Sequence, residues 1–425
     1  MFSLFFHKGA LTCCGRVSPP PHNVLTFPSH FQGKYLIGKK KTRSRIFTPQ
    51  NLFLTLVELI SGTNNNGYTT AILGSLGQVM KFCELPVKSA LSQIRSRISY
   101  KFFEDKFREQ NQLAQSRQKI WNGLHVYAID GIQLTLPRTN DIILAKYSGR
   151  KVSKYRESYM PKMFVTAAYD VISGVMKDVR ESSTLNEIAD AHSMVKGFED
   201  NSLTIYDRLY VSRELIHTHN DYHNFFLFRL RQSCLKELRL IYKTKRKRLT
   251  VEVDGITVHV IKIKNPKTGE WDAFASNLPL RLVTEKTVRK LYNLRWEVEN
   301  AFRDFTQTIK LEQWHSKSIN GIRQEFYLAL WLYNFTKLKI LSKFGGAKES
   351  MKDTYRKPNF KILFGYVAKN FVRICKQVRG VWKIFVELID CTMETRTRHS
   401  RSYKREIKSP QSPFSYNNTR WYGLN

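Results

Sequence analysis

The sequence is poor in the residues that build disulfide frameworks and zinc sites. Its 425 residues include only six cysteines, which are scattered along the chain without a Cys-x-x-Cys pair. Cys13 and Cys14 are adjacent, but they fall in a segment that we interpret as a flexible leader, and histidines do not cluster with the cysteines. We therefore expect neither a disulfide-rich secreted domain nor a structural zinc site.

Long apolar runs are also missing. No stretch approaches the roughly 20 apolar residues that a membrane-spanning helix requires. The apolar opening, residues 1–6, is followed at once by His7 and Lys8. It lacks the basic start and the longer apolar stretch of a signal peptide. We therefore expect a cytoplasmic protein with no membrane partner.

Acidic residues are scarce relative to basic ones. There are 35 Asp and Glu against 70 Lys and Arg, which gives a formal charge of +35. So large an excess favours a polyanionic partner, and nucleic acid is the natural one. The chain is also long enough for two or three domains and a sizeable core.

The most informative segment is residues 292–306, which read YNLRWEVENAFRDFT. It contains neither Pro nor Gly, so the sequence predicts a helix there. One face of that helix would carry Tyr292, Arg295, Glu299, Phe302, Arg303 and Thr306. A carboxylate between guanidinium groups and an aromatic hydroxyl fits a divalent metal ligand whose neighbours bind phosphates. A solvated helix with local ion pairs fits the same pattern.

Two earlier segments each run apolar residues into a single aspartate. The run VYAID ends at Asp130, and the run LTIYD ends at Asp207. Each predicts a strand that ends in an acid at the sheet edge or just beyond it. A turn at Asp130 and a surface ion pair at Asp207 are the alternatives. Together with Glu299, these carboxylates can hold two Mg²⁺ or Mn²⁺ ions about 3.5–4 Å apart for phosphodiester chemistry.

These motifs resemble those of bacterial insertion-sequence transposases of the DDE type, in the large family with a Y-x2-R-x3-E-x6-K signature. Tyr292, Arg295 and Glu299 match the first three signature positions. Asp130 with the following Gly resembles the first acidic motif. The run DRLY from Asp207 resembles the second, which is usually D-R-G-Y. The resemblance covers residues 45 to 340. It is specific, because the separate motifs occur in the right order.

One position departs from the signature. The signature Lys would fall at position 306, where this chain has Thr306. Arg303 and Lys310 are the candidates that could take over its phosphate contact.

The resemblance implies an α/β fold with an RNase H-like catalytic core, a β-rich insertion between the second Asp and the Glu, and an N-terminal helical DNA-binding domain. We expect a flexible basic leader at 1–44, the helical DNA-binding domain at 45–120, the catalytic domain at 121–345 with its insertion at about 235–280, and a C-terminal helical region with a basic tail at 346–425.

Within the insertion, the alternating pattern of 249–263 around Asp254-Gly255 predicts a hairpin. One N-terminal helix, with Ser89, Gln93, Arg95, Ser96, Arg97 and Lys101, is a candidate phosphate or groove reader, and a solvated basic helix is the alternative.

The resemblance also implies the chemistry. Asp130, Asp207 and Glu299 would hold two Mg²⁺ or Mn²⁺ ions. Tyr292 and Arg295 would bind the phosphate beside the cleavage site. Contacts to DNA are expected from Arg303, Lys310 and Trp296 as well, although Trp296 is more typical of a core residue behind the helix.

The partner would be double-stranded DNA, as terminal inverted repeats and target, bound by a homodimer on paired ends in the cytoplasm at the nucleoid. The implied activity is cleavage at the element's ends and transfer of the 3′ ends to target DNA. An inactive relic that binds DNA without cutting is the alternative, and a stand-alone nuclease is a further one.

Overall fold

The computed structural model describes residues 27–38, 46–61, 67–115, 120–147, 151–153, 156–157, 160–265, 269–343, 354–378 and 380–397. Its helices are α1 Pro49–Ile60, α2 Tyr68–Leu76, α3 Lys88–Arg97, α4 Lys101–Gln115, α5 Asn140–Leu144, α6 Glu187–Val195, α7 Arg213–Asp221, α8 Leu240–Lys243, α9 Glu285–Leu294, α10 Trp296–Arg303, α11 Ile319–Lys343, α12 Phe360–Lys369, α13 Phe371–Cys375 and α14 Val381–Cys391. Its strands are β1 His125–Thr135, β2 Lys151–Ser153, β3 Arg156–Glu157, β4 Lys162–Asp170, β5 Val175–Ser182, β6 Ser202–Tyr206, β7 Phe225–Arg229, β8 Arg248–Val253, β9 Ile256–Lys264, β10 Trp271–Ser276, β11 Thr354–Pro358 and β12 Met393–Thr397.

An eight-stranded sheet organises the molecule, in the order β5-β4-β1-β6-β7-β10-β9-β8. The strands β5, β4 and β1 pair antiparallel, whereas β1, β6 and β7 pair parallel. The last three strands join the sheet antiparallel through β10. The predicted mixed α/β class is therefore confirmed.

The predicted hairpin in the interval between Asp207 and Glu299 is also confirmed. Strands β8 and β9 pair antiparallel, with Val253 opposite Ile256. The two loop residues between them, Asp254 and Gly255, both have positive φ angles, of 49° and 82°. A two-residue loop of this kind matches the twist of the flanking strands, and Asp-Gly favours it. These strands lie at one end of the main sheet, where β9 pairs with β10 and β10 pairs with β7.

Buried side chains cover both faces of the sheet. On one face, Val126 and Ala128 of β1 join a large cluster that includes α1, α9, α10 and α11. On the other face, Tyr127 and Ile129 join a smaller cluster with α6 and α7. Alternate residues of one strand point to opposite faces. The two faces of β1 therefore serve two different helical layers.

The N-terminal helices share the larger cluster. Helix α1 begins at Pro49, which suits a first helical position, and it is capped by the Thr48 hydroxyl, which accepts a hydrogen bond from the Asn51 amide at 3.2 Å. Phe53 of α1 lies edge-on to Trp331 of α11, with ring centroids 4.9 Å apart. Helices before and after the sheet thus pack on each other, and the predicted domain boundaries stay a prediction.

The position of Arg95 corrects one part of the prediction that this N-terminal helix contacts DNA phosphates. Its guanidinium is buried and forms an ion pair with Glu325 of α11 at 2.7 Å. It also donates to the Gln324 side chain and the Gly321 carbonyl. Arg95 is therefore a buried link between α3 and α11 and is not available to a phosphate. Its neighbours Ser89, Gln93, Ser96, Arg97 and Lys101 are exposed.

Two further expectations concern the ends of the chain and the membrane. Most of the predicted leader and the tail beyond 397 lie outside the described residues. In the described part of the leader, Phe31 and Tyr35 are buried against Phe102 of α4, at 5.3 Å between ring centroids. Among the helices that the structure describes, none is long and apolar enough to cross a membrane.

Candidate active site

Asp130 lies in the middle of β1, which corrects the prediction that a strand ends there. The strand runs from His125 to Thr135, and Asp130 pairs with Ala167 of β4. No turn forms at Gly131, because β4 continues the antiparallel pairing along this whole segment. What ends near Asp130 is the neighbouring parallel strand: the β1–β6 pairing stops at Ala128.

Asp207 follows β6 directly, as predicted. The parallel register places Ala128 opposite Ile205. Asp130 and Asp207 each lie two residues beyond this last pair. Ala128 faces the larger cluster, and strand alternation gives Asp130 that same face. Asp207 contacts Tyr292, which belongs to the same cluster. The sheet therefore presents a pair of carboxylates toward α9 and α10.

The segment predicted as one helix forms two consecutive helices. Helix α9 begins at Glu285 and is capped by Thr284, whose hydroxyl accepts a hydrogen bond from the Thr287 amide at 3.2 Å. It passes into α10 at Arg295, which keeps helical φ and ψ angles of −53° and −36°. Val288, Leu291 and Val298 are buried against the sheet. This apolar stripe turns the polar residues of the same helices toward the two aspartates.

Arg295 connects two of the three acids. Its guanidinium donates to the Asp130 carboxylate at 2.9 Å and to the Glu299 carboxylate at 2.7 Å. The Arg295 side chain is only 7% exposed, while those of Asp130 and Glu299 are 23% and 32% exposed. Arg295 thus lies between the carboxylate of Asp130 on β1 and that of Glu299 on α10. These two acids are 169 positions apart in the sequence.

The third acid, Asp207, contacts Tyr292. The Tyr292 hydroxyl donates to the Asp207 carboxylate over a long 3.4 Å. The ring is held edge-on to Phe274 of β10, at 4.9 Å between centroids. The structure therefore brings Asp130, Asp207, Glu299, Tyr292 and Arg295 together in one place.

The electrostatics of the site follow from burial and from these contacts. Burial raises the pKa of the Asp130 carboxyl to about 6, although the Arg295 guanidinium and the Gly131 amide act in the opposite direction. Burial alone would lower the pKa of Arg295, but Tyr292, Glu299 and Asp130 outweigh it and raise that pKa. Arg295 therefore stays charged, and its guanidinium favours the ionised form of the Asp130 carboxyl against the effect of burial.

Trp296 is exposed, which corrects the expectation of a core residue. Its side chain is 48% accessible, and the Arg295 guanidinium lies 5.0 Å from its ring centroid. A helix buries only the stripe that faces the sheet, and Trp296 is outside that stripe. An exposed indole beside the acids is free to stack on a planar group.

The three remaining candidate positions, Arg303, Thr306 and Lys310, follow Glu299 in the sequence. Arg303 is exposed and donates to the Asn300 side chain at 3.3 Å. Thr306 lies in a π-helical turn, Asp304–Thr308, and its hydroxyl donates to the Phe302 carbonyl at 3.1 Å. Lys310 is exposed with a φ of 56°. Within the described residues, neither Arg303 nor Lys310 forms a hydrogen bond or ion pair with the acids.

The donor set fits Mg²⁺ or Mn²⁺ in kind, because both prefer carboxylate oxygens. As placed, however, no three acid, His or Cys side chains among the described residues are grouped closely enough to hold an ion. The Arg295 guanidinium supplies the positive charge between Asp130 and Glu299 instead. The residue types therefore fit a divalent metal, whereas their placement pairs two of the three carboxylates with Arg295.

Glu187 is a residue of this region that sequence reasoning missed. It is the first residue of α6, on the other face of the sheet. An ideal Cβ built on Gly131 would lie 2.2 Å from the Glu187 Oε1 atom. No motif marks Glu187, and the only sequence signal is the glycine that follows Asp130.

With this geometry in place, comparison with known proteins identifies the class. The transposase DDE domain family matches residues 121–335, slightly more than half of the chain and a range that contains all three acids. The chain belongs to this family of transposase DDE domains.

Two particular proteins are similar to it. The chain is 30% identical over 144 residues to a protein of Escherichia coli (strain K12) named "Putative transposase InsZ". That segment is 32% of this chain and 46% of InsZ, so the match spans about half the length of the relative. The solved structure titled "Cryo-EM structure of piggyBac transposase synaptic complex with hairpin DNA" aligns with a TM-score of 0.43 at 12% identity, covering 85% of this chain and 81% of that one.

Proposed function

We propose that the protein is an active insertion-sequence transposase of the Y-R-E-K type. It binds the terminal inverted repeats of its element, cleaves the DNA at the element's ends and joins the 3′ ends to target DNA. The observation that carries this proposal is the meeting of Asp130, Asp207 and Glu299 with Arg295 and Tyr292 on one face of the sheet.

The strand order supports an RNase H-like core within this proposal. Three antiparallel strands, β5, β4 and β1, continue into the parallel pair β6 and β7. The first aspartate lies on the central strand, and the second follows the next strand. Strands β8 to β10 would then be the β-rich insertion between the second Asp and the Glu.

The three acids would hold two Mg²⁺ or Mn²⁺ ions, which supply an activated water or 3′-hydroxyl and stabilise the leaving oxygen. Before the ions bind, Arg295 holds the Asp130 and Glu299 carboxylates close together through its two ion pairs. Once it releases them, its guanidinium is free to donate to a phosphate, for which its planar fork is suited. The Tyr292 hydroxyl can donate to the same phosphate from its place beside Asp207.

The surroundings of the site would bind the rest of the DNA. Trp296 offers an exposed ring on which an unpaired base can stack. Arg303 and Lys310 are exposed beyond Glu299 and could follow the backbone. The charge of +35 supports a large electrostatic share in binding. A homodimer on paired ends, acting at the nucleoid, completes the proposal.

One observation favours the alternative, a relic that binds ends without cutting. Thr306 stands where the signature has a Lys, and its hydroxyl is turned back onto the Phe302 carbonyl. It therefore offers no positive charge to a phosphate. The intact set of three acids favours the enzyme.

A gel assay tests the proposal. Purified full-length protein, Mg²⁺ and labelled DNA carrying the repeats that flank its gene are incubated with a target plasmid. An active transposase gives cuts at the repeat ends and joined products. A stand-alone nuclease gives cuts without end preference and no joined product. Binding to the repeats without cutting would support the relic and contradict the enzyme.

A further inference from the structure

We infer that Glu187 is a positioning residue that holds the two aspartate-bearing segments in place from the opposite face of the sheet. This inference rests on the proposed function of Asp130 and Asp207. Its basis is that one carboxylate contacts both the backbone next to Asp130 and the turn that follows Asp207.

The helix that carries Glu187 is fixed over the right part of the sheet. One turn further along α6, Asp190 accepts a hydrogen bond from the Thr166 hydroxyl of β4 at 2.7 Å. Thr166 is buried and is the cross-strand partner of Gly131. Residues one helical turn apart lie on the same face. The Asp190 contact therefore holds Glu187 against Gly131.

Gly131 leaves the space that Glu187 fills. A Cβ at this position would come within 2.2 Å of the Glu187 Oε1 atom and 2.4 Å of its Cδ atom. The glycine thus lets a carboxylate lie directly against the strand, one residue from Asp130. Because the carboxylate is the far end of a flexible side chain, a methyl group at 131 would push it away.

The other carboxylate oxygen reaches the segment that carries Asp207. Tyr210 is buried, and its hydroxyl donates to the Glu187 Oε2 atom at 3.4 Å. The Tyr210 amide donates to the Asp207 carbonyl at 3.3 Å, which closes the turn after β6. Glu187 therefore supports this turn and the β1 strand at the same time.

Neither of these contacts requires Glu187 to touch the reacting atoms. Groups that orient metal ligands from behind typically change metal affinity by about 10–100-fold when they are removed. We therefore expect Glu187→Ala to weaken Mn²⁺ binding by about tenfold without changing which ligands are used. Glu187→Gln keeps the shape and an acceptor for Tyr210, so it should stay within about twofold of the wild type.

The test measures Mn²⁺ binding to the DNA-free full-length protein, from the electron paramagnetic resonance signal of the free ion. The variants are Glu187→Ala, Glu187→Gln and Gly131→Ala, which displaces the carboxylate without removing it. Glu214→Ala is the matched control, because Glu214 is an exposed acid in the first turn of the adjacent helix α7. Thermal unfolding checks that each variant is folded.

Weaker binding in Glu187→Ala and Gly131→Ala, with near-normal binding in Glu187→Gln and the control, supports the inference. Binding by both Glu187→Ala and Gly131→Ala that equals the control overturns it. If Glu187→Ala does not fold, Gly131→Ala and Glu187→Gln decide the question. Asp130→Ala separates the two proposals. If Asp130→Ala binds Mn²⁺ like the wild type, the proposed function fails. If Asp130→Ala loses Mn²⁺ binding while Glu187→Ala binds Mn²⁺ normally, only this inference is contradicted.

Discussion

Replacing Arg295 by Gln should destabilise the protein and at the same time open the site to metal. The guanidinium is the positive group between Asp130 and Glu299, at 2.9 and 2.7 Å. Breaking a buried ion pair costs about 3–5 kcal/mol, and an exposed one about 0–1 kcal/mol. The two carboxylates are 23% and 32% exposed. We therefore expect a loss of about 1–3 kcal/mol in the free energy of unfolding at pH 7.5.

The loss should depend on pH in a definite direction. Burial already raises the pKa of Asp130 to about 6 from 3.8, and loss of the guanidinium raises it further. An acid whose pKa is raised in the folded state costs stability as the pH rises through that pKa. The variant should therefore differ less from the wild type at pH 5 than at pH 7.5, because the Asp130 carboxyl is then largely protonated.

Urea unfolding with and without Mn²⁺ measures both effects. A ligand at 100 times its dissociation constant stabilises the folded state by about 2.7 kcal/mol. Mn²⁺ should stabilise Arg295→Gln more than the wild type, in which the ion competes with the guanidinium. The control is Arg289→Gln on α9, the helix that ends just before Arg295, because the ion pair of Arg289 with Glu285 is exposed. The reasoning is refuted if Arg295→Gln is as stable as this control, or if Mn²⁺ stabilises it no more than the wild type.

Three further predictions concern the core, the signature position and DNA binding. Glu325→Gln should lower the free energy of unfolding by about 3–5 kcal/mol in urea, because it leaves Arg95 buried without its counter-charge. Burial raises the pKa of Glu325, but Arg95 and His315 together outweigh burial and lower that pKa to about 2 from 4.5. In the wild type this stability should therefore be lost as the pH falls from about 4.5 to 2. Thr306→Lys should speed single-turnover end cleavage about tenfold to a hundredfold, since a charge-assisted contact is worth about 1.5–3 kcal/mol; equal rates would mean that another cation already makes it. Arg97→Ala and Lys101→Ala should each reduce the slope of log K against log salt by about 0.9 in filter binding if each neutralises one phosphate, and unchanged slopes would exclude this surface.

The elements that hold Asp207 and Glu299 could be predicted because each is marked by a short-range pattern in the sequence. An apolar run before Asp207 and a helix around Glu299 can be read locally, and both were found. The strand through Asp130 was misjudged because Gly131 looks like a turn signal. Nine-residue pairing with β4 overrides that local preference, and no local pattern contains the partner strand.

The remaining differences arise from contacts that are distant in the sequence. Arg95 reads as a surface arginine until Glu325, 230 positions later, is brought against it. Trp296 reads as a core residue because aromatic rings usually are buried, and its exposure depends on which stripe of α10 the sheet covers. Arg295 was expected to contact phosphate, and its bridge between two carboxylates depends on the register that sets Asp130 opposite the helix.

The most direct test of the central claim is single-turnover cleavage of end-bearing DNA with Mg²⁺ by Asp130→Asn, Asp207→Asn and Glu299→Gln. Glu285→Gln, an exposed acid in the first turn of α9, is the matched control. We predict that each of the three variants loses cleavage while binding the ends like the control, because the metals act on the chemistry more than on docking. Cleavage near the wild-type rate by any one of the three would contradict the assignment of these acids to the active site.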